Sequence, residues 1–147
     1  MDRELIAQKL EALRYCVGRI ASRCPGDPDT LARDPDAQDI VALNLARAVQ
    51  QCVDIGAHLL SRSSLRAPAT MGETFERLAE GGWLDAELAE RMRRAVGFRN
   101  IAVHNYETIN WALVHEICQK HLDDFRAFAR AIHAAGGGDG QPPHEAR

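Results

Sequence analysis

The sequence predicts an all-α protein, a bundle of three long and two short helices. The 147-residue chain is rich in alanine, leucine, arginine and glutamate, and only 5% of it is aromatic. That balance favours helices over strands. Apolar residues recur every three or four positions over long stretches, as they do on one face of a helix. No stretch alternates apolar and polar residues over the length of a strand.

Two long amphipathic helices are predicted in the first half of the chain. The first has one apolar stripe, made of Ile6, Leu10, Leu13, Val17, Ile20 and Cys24. The second has two adjacent stripes, made of Val41, Leu45, Ala48, Cys52, Ile55 and Leu59, and of Val49, Val53, Gly56 and Leu60. A face this broad implies burial against two or more neighbours. Residues 25–37 hold three of the six prolines, so a loop with room for one short helical turn is expected there.

Two short helices and a third long one should follow. Thr70 and Glu73 fit a capping box, in which both side chains satisfy free amides at a helix start. Asp85 can cap the next helix, whose inward residues are Leu88, Met92 and Val96. The last helix is expected over residues 108–135, with the inward positions Val114, Cys118, His121, Phe125, Phe128 and Ile132.

One domain accounts for most of the chain, which has the length of a single domain. We expect residues 1–135 to form it and the Gly/Pro-rich residues 136–147 to be a disordered tail. The charged start lacks a signal-peptide core, and no apolar run reaches the ~20 residues of a membrane span, so a cytoplasmic protein is expected. The net charge of −3 argues against a broad basic face that wraps duplex nucleic acid. A nucleic-acid enzyme would need a local basic cluster.

No metal site and no cofactor are predicted. The four cysteines form no CxxC pair and are expected to be reduced core thiols: Cys16, Cys24, Cys52 and Cys118. His115, Cys118 and His121 have a spacing that suggests metal ligands. However, the two histidines are about 240° apart in rotation on a helix, and no fourth ligand is evident.

Residues 97–106 concentrate chemically capable side chains in an otherwise apolar stretch. Asn100 and His104 are four residues apart and would share one face of a helix. Arg99 and His104 would lie about 140° apart, so they converge only if the arginine reaches round or the helix bends. On the residues alone, the favoured interpretation makes Arg99 a solvated surface residue and His104 a buried, hydrogen-bonded histidine.

This segment resembles the Arg-x4-His-x-Tyr signature of HepT-type toxins, which are ribonucleases of the HEPN superfamily from type VII toxin–antitoxin systems. Arg99, His104 and Tyr106 fill its three fixed positions. The likeness covers residues 1–133, and residues 52–60 resemble the second long helix of that family. It implies a HEPN-like up-and-down helical bundle and metal-independent cleavage of RNA.

The residue types in the motif suit that chemistry. RNA supplies its own nucleophile, the 2′-hydroxyl, so cleavage needs one group to accept that proton and another to protonate the leaving 5′ oxygen. We expect His104 to be the general acid–base and Arg99 to hold the phosphate and stabilise the transition state. Asn100 would orient the histidine or bond a phosphate oxygen. Since HEPN nucleases pair two motifs across a cleft, a homodimer is expected.

A basic cluster leads into the motif, consisting of Arg91, Arg93, Arg94 and Arg99. Arginine side chains on a helix often only cover apolar surface while their charged ends stay in solvent. Beside a nuclease motif they would also steer RNA, and Arg91 and Arg94 are the candidate RNA-binding residues.

The resemblance gives Tyr106 a separate role. In that family the antitoxin partner is MntA, a minimal nucleotidyltransferase that transfers AMP units onto the motif tyrosine. Each AMP would bring a charge and a base into the cleft, where the charge would pair with Arg99 and exclude RNA. Without the resemblance, Tyr106 would be a packing residue whose hydroxyl bonds a neighbour.

Two functions without catalysis remain as alternatives. The protein could be a helical subunit that docks a nucleotidyltransferase and presents substrate to it, because a fold alone does not decide function. It could also be a helical dimer in which Arg99 and His104 only bridge subunits. The intact set of Arg99, Asn100 and His104 favours the nuclease, since a docking module does not need it.

Overall fold

A computed structural model describes residues 2–136, and within that range every regular element is helical. This confirms the all-α prediction. The seven α-helices are α1 Asp2–Arg23, α2 Pro28–Arg33, α3 Pro35–Ser61, α4 Met71–Glu80, α5 Ala86–His104, α6 Trp111–Lys120 and α7 Leu122–Ala134. A short 3-10 helix, Tyr106–Thr108, joins α5 to α6. Nearly all of the tail predicted to be disordered, residues 137–147, lies outside the described residues.

α3 is the centre of the bundle and contacts α1, α2, α4, α5 and α7. Both of its predicted stripes are buried over their whole length, which satisfies the broad apolar face. α1 lies along α3 with its own stripe inward, although Leu10 and Cys24 are only half-buried. The two long helices therefore supply about half of the buried core.

α3 and α4 approach each other closely at Gly56. A Cβ at this position would lie 2.5 Å from Cγ2 of Thr74 and 3.0 Å from Cδ1 of Leu78. Both neighbours are buried, so neither can withdraw easily. The glycine thus lets α4 settle against α3, and α4 also packs along α5.

The predicted caps of α4 and α5 are present. The Thr70 hydroxyl accepts a hydrogen bond from the Glu73 amide at 3.1 Å, and the Asp85 carboxylate accepts one from the Leu88 amide at 2.7 Å. The Glu73 carboxylate accepts from the Ala69 amide at 3.0 Å, one residue before the position that a capping box uses. The inward residues of α5 are buried as predicted: Leu88, Met92 and Val96.

Two segments differ in detail from the predicted elements. The segment predicted as a loop, residues 25–37, contains the short helix α2 and the start of α3 at Pro35. The segment predicted as one helix over 108–135 forms α6 and α7. The break lies at His121, whose φ of −121° and ψ of 2° leave the helix and whose side chain is exposed rather than inward. Leu122 takes the buried position, four residues after Cys118 and three before Phe125, so the apolar spacing runs through the break undisturbed.

The four cysteines are free thiols, three of them buried and Cys24 half-buried, in agreement with the prediction. Burial raises the pKa of the Cys52 and Cys118 thiols, which makes both poor nucleophiles. Among residues 2–136, no helix combines the length and the apolar character that crossing a membrane requires.

Candidate active site at the end of α5

α5 carries the motif to its carboxyl end. The helix continues without interruption to His104, so Arg99 and Asn100 lie about one turn before its end. Asn105, with φ of −144° and ψ of 50°, ends the helix. The chain then turns through the 3-10 helix that begins at Tyr106. All four motif side chains are therefore attached to the last turns of α5 and the turn that follows it.

Arg99 and Asn100 form a pair along the helix surface. Nη1 of Arg99 donates a hydrogen bond to Oδ1 of Asn100 at 3.2 Å. Arg99 is half-buried and Asn100 is exposed. Among the described residues, the amide NH₂ group of Asn100 has no acceptor. The structure thus joins Asn100 to the guanidinium rather than to His104, and it leaves donors on both side chains for a ligand.

His104 is exposed, and its ring has no hydrogen-bond or ion-pair partner within residues 2–136. His104 is therefore not a buried histidine whose ring is hydrogen-bonded within the fold. Because α5 runs on to His104, the rotation of about 140° between it and Arg99 holds, and the two side chains do not meet. Two exposed apolar residues flank the histidine, Ile101 at 43% and Val103 at 51% exposure.

Tyr106 is anchored at both ends of its side chain. Its hydroxyl donates a hydrogen bond of 2.5 Å to Oδ1 of Asp39, in the second turn of α3. Its ring meets Trp111 edge to face, with centroids 5.9 Å apart. Partial burial, and then the hydrogen bond and charge of Asp39, raise the pKa of Tyr106. The residue remains 37% exposed, so it is held in place and is also accessible.

The arginine cluster is divided among different partners. Arg91 donates to the Asp124 carboxylate at 2.9 Å and so turns towards α7. Arg93 and Arg94 both bond Glu90, at 2.7 Å and 3.2 Å, and their hydrogen bonds lower the pKa of Glu90 to about 2. The Arg94 side chain is still 72% exposed.

A groove of about 630 Å³ lies between the start of α4 and the outer face of α5. Its lining comprises Thr70, Met71, Gly72, Glu73, Glu76, Arg93, Arg94, Val96, Gly97 and Asn100. Nothing lies within 4 Å of a Cβ built on Gly97, so the α5 wall of the groove is open. The groove connects Arg94 with Asn100, whereas Arg91 lines a different cavity beside α6 and α7.

The three residues with metal-like spacing do not form a site. His115 is buried, and its Nε2 lies 2.9 Å from the Pro25 carbonyl oxygen. Cys118 is buried, whereas His121 is exposed at the break between α6 and α7. In the part of the chain that the structure describes, no group of three or more His, Cys, Asp or Glu side chains could hold a metal ion.

Asp39 is the site residue that sequence reasoning missed. It precedes Tyr106 by 67 residues, and no motif or spacing links the two. Only the packing of α3 against the end of α5 brings them together. Trp111 is half-buried; it packs against the hydrophobic core and also meets the tyrosine ring.

Comparison with known proteins gives a consistent family assignment. The family model described as ribonuclease HepT-like matches residues 13–132. The mRNA nuclease HepT of Shewanella oneidensis is 34% identical over 131 residues, which cover 89% of this chain and 98% of the relative.

Solved structures agree with that assignment. One is a toxin–antitoxin complex with AMP-PNP, with a TM-score of 0.84 and 33% identity over 89% of this chain and 98% of the other. Another is a tri-AMPylated HEPN toxin of Shewanella oneidensis in complex with its MNT antitoxin. Its TM-score is 0.82 at 34% identity, covering 88% of this chain and 97% of the other. The chain, with its Arg-x4-His-x-Tyr motif at the end of α5, therefore belongs to the ribonuclease HepT-like family.

Proposed function

We propose that this protein is a metal-independent endoribonuclease toxin, kept inactive by a partner antitoxin that transfers AMP to Tyr106. One observation carries the proposal: a member of the HepT-like family presents Arg99, Asn100 and His104 unobstructed at the end of α5. Within the described residues, neither the His104 ring nor the Asn100 NH₂ group is occupied by a partner. These side chains contribute little to the fold, which leaves them available for a substrate.

The reaction follows from the chemistry of the three side chains. The 2′-oxygen of the RNA attacks the adjacent phosphorus, a new O–P bond forms and the bond to the 5′ oxygen breaks. His104 moves the protons, accepting one from the 2′-hydroxyl or donating one to the leaving oxygen. Arg99 stabilises the charge that develops on the phosphate oxygens. Asn100 orients the guanidinium through its 3.2 Å bond and donates from its NH₂ group to a phosphate oxygen.

A homodimer completes this site. One imidazole cannot act as acid and base in the same step, and Arg99 of one chain points away from His104 of that chain. A second copy across a cleft supplies the missing proton carrier and brings the arginine of one chain towards the histidine of the other. The exposed Ile101 and Val103 next to His104 offer apolar surface for that contact.

RNA reaches the site along the groove between α4 and α5. Arg94 lies on this groove with Asn100 and keeps most of its guanidinium exposed, although it shares Glu90 with Arg93. It is therefore better placed to bind a phosphate than Arg91, whose charge is paired with Asp124. The proposed RNA-binding residue is Arg94, and Arg91 contributes only if RNA displaces its carboxylate.

Tyr106 is the proposed switch between active and inactive toxin. The tri-AMPylated relative in complex with its antitoxin supports an MntA-type nucleotidyltransferase as the partner. The Tyr106 hydroxyl lies two residues after His104 and is partly exposed, as an acceptor must be. Attached AMP would place a negative phosphodiester beside Arg99 and block the approach of an RNA phosphate.

The test is RNA cleavage by purified, unmodified protein in excess EDTA, compared with His104→Ala. A general acid–base contributes about 10²–10⁴-fold, so the variant should lose at least that factor. His133→Ala, at an exposed histidine on α7, is the matched control and should cleave at the wild-type rate. Cleavage that requires added metal would overturn the mechanism. If the wild type is inert and mass spectrometry shows unmodified Tyr106, the protein is the docking subunit instead.

A further inference from the structure

Asp39 and Tyr106 form an isolated acid–phenol pair on the surface. The hydroxyl-to-carboxylate distance of 2.5 Å is that of a charge-assisted hydrogen bond. Asp39 is exposed, and among the described residues the phenol is its only hydrogen-bond or ion-pair partner. A surface carboxylate that served the fold would more commonly cap a helix or pair with a cation. This one points at the atom that the proposed function requires to become a nucleophile.

We infer that Asp39 is the general base that activates Tyr106 for nucleotidyl transfer. The inference rests on the proposed role of Tyr106 as the AMP acceptor. With a nucleoside triphosphate held by the antitoxin, the Tyr106 oxygen attacks the α-phosphorus. The new Oη–P bond forms, the bond to the leaving pyrophosphate breaks, and the phenolic proton passes to the Asp39 carboxylate.

The state of the phenol explains why a base is needed. Partial burial and the neighbouring carboxylate raise the pKa of Tyr106, so the free phenolate is scarce at neutral pH. A neutral phenol is a weak nucleophile, and its proton must leave as the new bond forms. Asp39 is already at hydrogen-bond distance to receive it.

The residues around Tyr106 also hold its side chain in position. The edge of the Trp111 ring packs on the tyrosine ring, with the planes at 67°, while Asp39 holds the hydroxyl. These two contacts hold the ring and its hydroxyl, while the residue remains 37% exposed. An antitoxin can therefore approach with its nucleotide without first rearranging the acceptor.

The experiment measures the initial rate of AMP incorporation at Tyr106 by mass spectrometry, using the unmodified protein, a purified MntA-type antitoxin and ATP. Asp39→Asn keeps the size of the side chain and an oxygen acceptor but removes the basic carboxylate. The expected result is a fall of about 10²–10⁴-fold. The variant rate should then rise with pH as phenolate forms, while the wild-type rate changes less. Thermal unfolding checks that the exposed substitution leaves the fold intact.

Asp36→Asn is the matched control, since this exposed α3 carboxylate makes no contact with Tyr106. It should be modified at the wild-type rate, with the wild-type pH profile. An Asp39→Asn variant that equals this control in both rate and pH profile would overturn the inference and leave Tyr106 as the acceptor. If the wild type takes up no AMP at Tyr106, the result overturns the proposed function itself and not the role of Asp39 alone. Measuring the wild type and the variants in parallel separates the two failures.

Discussion

α3 and the last turns of α5 differ in how far they bury their apolar and polar side chains. α3 buries two complete apolar stripes, and Ile55 on it is fully buried. The end of α5 instead leaves Ile101 43% exposed beside an exposed His104. Side chains of the first kind stabilise the fold, whereas those of the second kind contribute little to it within one chain. The end of α5 therefore has the side chains of a surface that contacts another molecule.

The histidines show the same contrast. His115 is buried on α6, with its ring nitrogen 2.9 Å from a backbone carbonyl, so its bonding capacity serves the fold. His104 is exposed and, among residues 2–136, its ring has no partner. A histidine whose ring nitrogens are exposed and unbonded can contact a substrate, and one whose nitrogen is already bonded in the core cannot.

The largest expected effect on stability comes from a matched pair of isoleucines. Ile55→Ala should lower the free energy of unfolding by about 2–5 kcal/mol, because it opens a cavity in the core. In protein dilute enough to be monomeric, Ile101→Ala should change it by no more than about 1 kcal/mol, since that side chain is 43% exposed within one chain. Urea unfolding of the two variants measures both values. Equal losses would show that the end of α5 belongs to the core.

Arg99→Ala should produce the opposite pattern, with activity lost and stability kept. Removing a group that stabilises transition-state charge costs about 10²–10³-fold in rate. The free energy of unfolding should stay within about 0.5 kcal/mol of the wild type, because within residues 2–136 the variant loses only the surface hydrogen bond to Asn100. RNA cleavage and urea unfolding on the same samples give both numbers.

Two further variants sharpen the Arg99 result. Arg99→Lys keeps the charge but not the planar fork, so its cleavage rate should fall between wild type and Arg99→Ala. Arg14→Ala removes an exposed α1 arginine and should leave cleavage unchanged. An Arg99→Ala protein that cleaves at full rate would contradict the role assigned to the guanidinium.

The smallest expected effect is a pH dependence at Tyr106. The fold raises the pKa of this phenol, so the native state favours the neutral form. The resulting stabilisation is fully present below the unfolded tyrosine pKa of about 10 and is lost as the pH rises through the higher folded value. As the pH rises from neutral to alkaline, the free energy of unfolding should therefore fall more for the wild type than for Tyr106→Phe. Unfolding measured at each pH gives both values. Parallel losses in the two proteins would show that Asp39 and burial do not affect the phenol.

Much of the fold follows from apolar spacing, because burial in a helical bundle repeats every three to four residues. The stripes of α1 and α3, the caps Thr70 and Asp85, and the inward face of α5 could all be predicted this way. The break at His121 could not, because Cys118, Leu122 and Phe125 continue the same spacing across it.

The candidate site was predicted only as far as it is contiguous in sequence. Arg99, Asn100, His104 and Tyr106 lie within eight residues, and their resemblance to a known motif identified them. The bond from Tyr106 to Asp39 spans 67 residues and depends on how the end of α5 packs beside α3. The bond between Arg91 and Asp124 likewise requires the position of α7. Contacts between distant segments carry no local periodicity, so the sequence alone does not reveal them.

The chemistry of the RNA ends distinguishes attack by the 2′-hydroxyl from attack by water. Attack by the 2′-hydroxyl, with His104 as proton carrier, predicts fragments that end in a 2′,3′-cyclic phosphate and begin with a 5′-hydroxyl. They should form in excess EDTA and be absent with His104→Ala. Fragments with 3′-hydroxyl and 5′-phosphate ends, or the same fragments from the variant at the wild-type rate, would contradict the account.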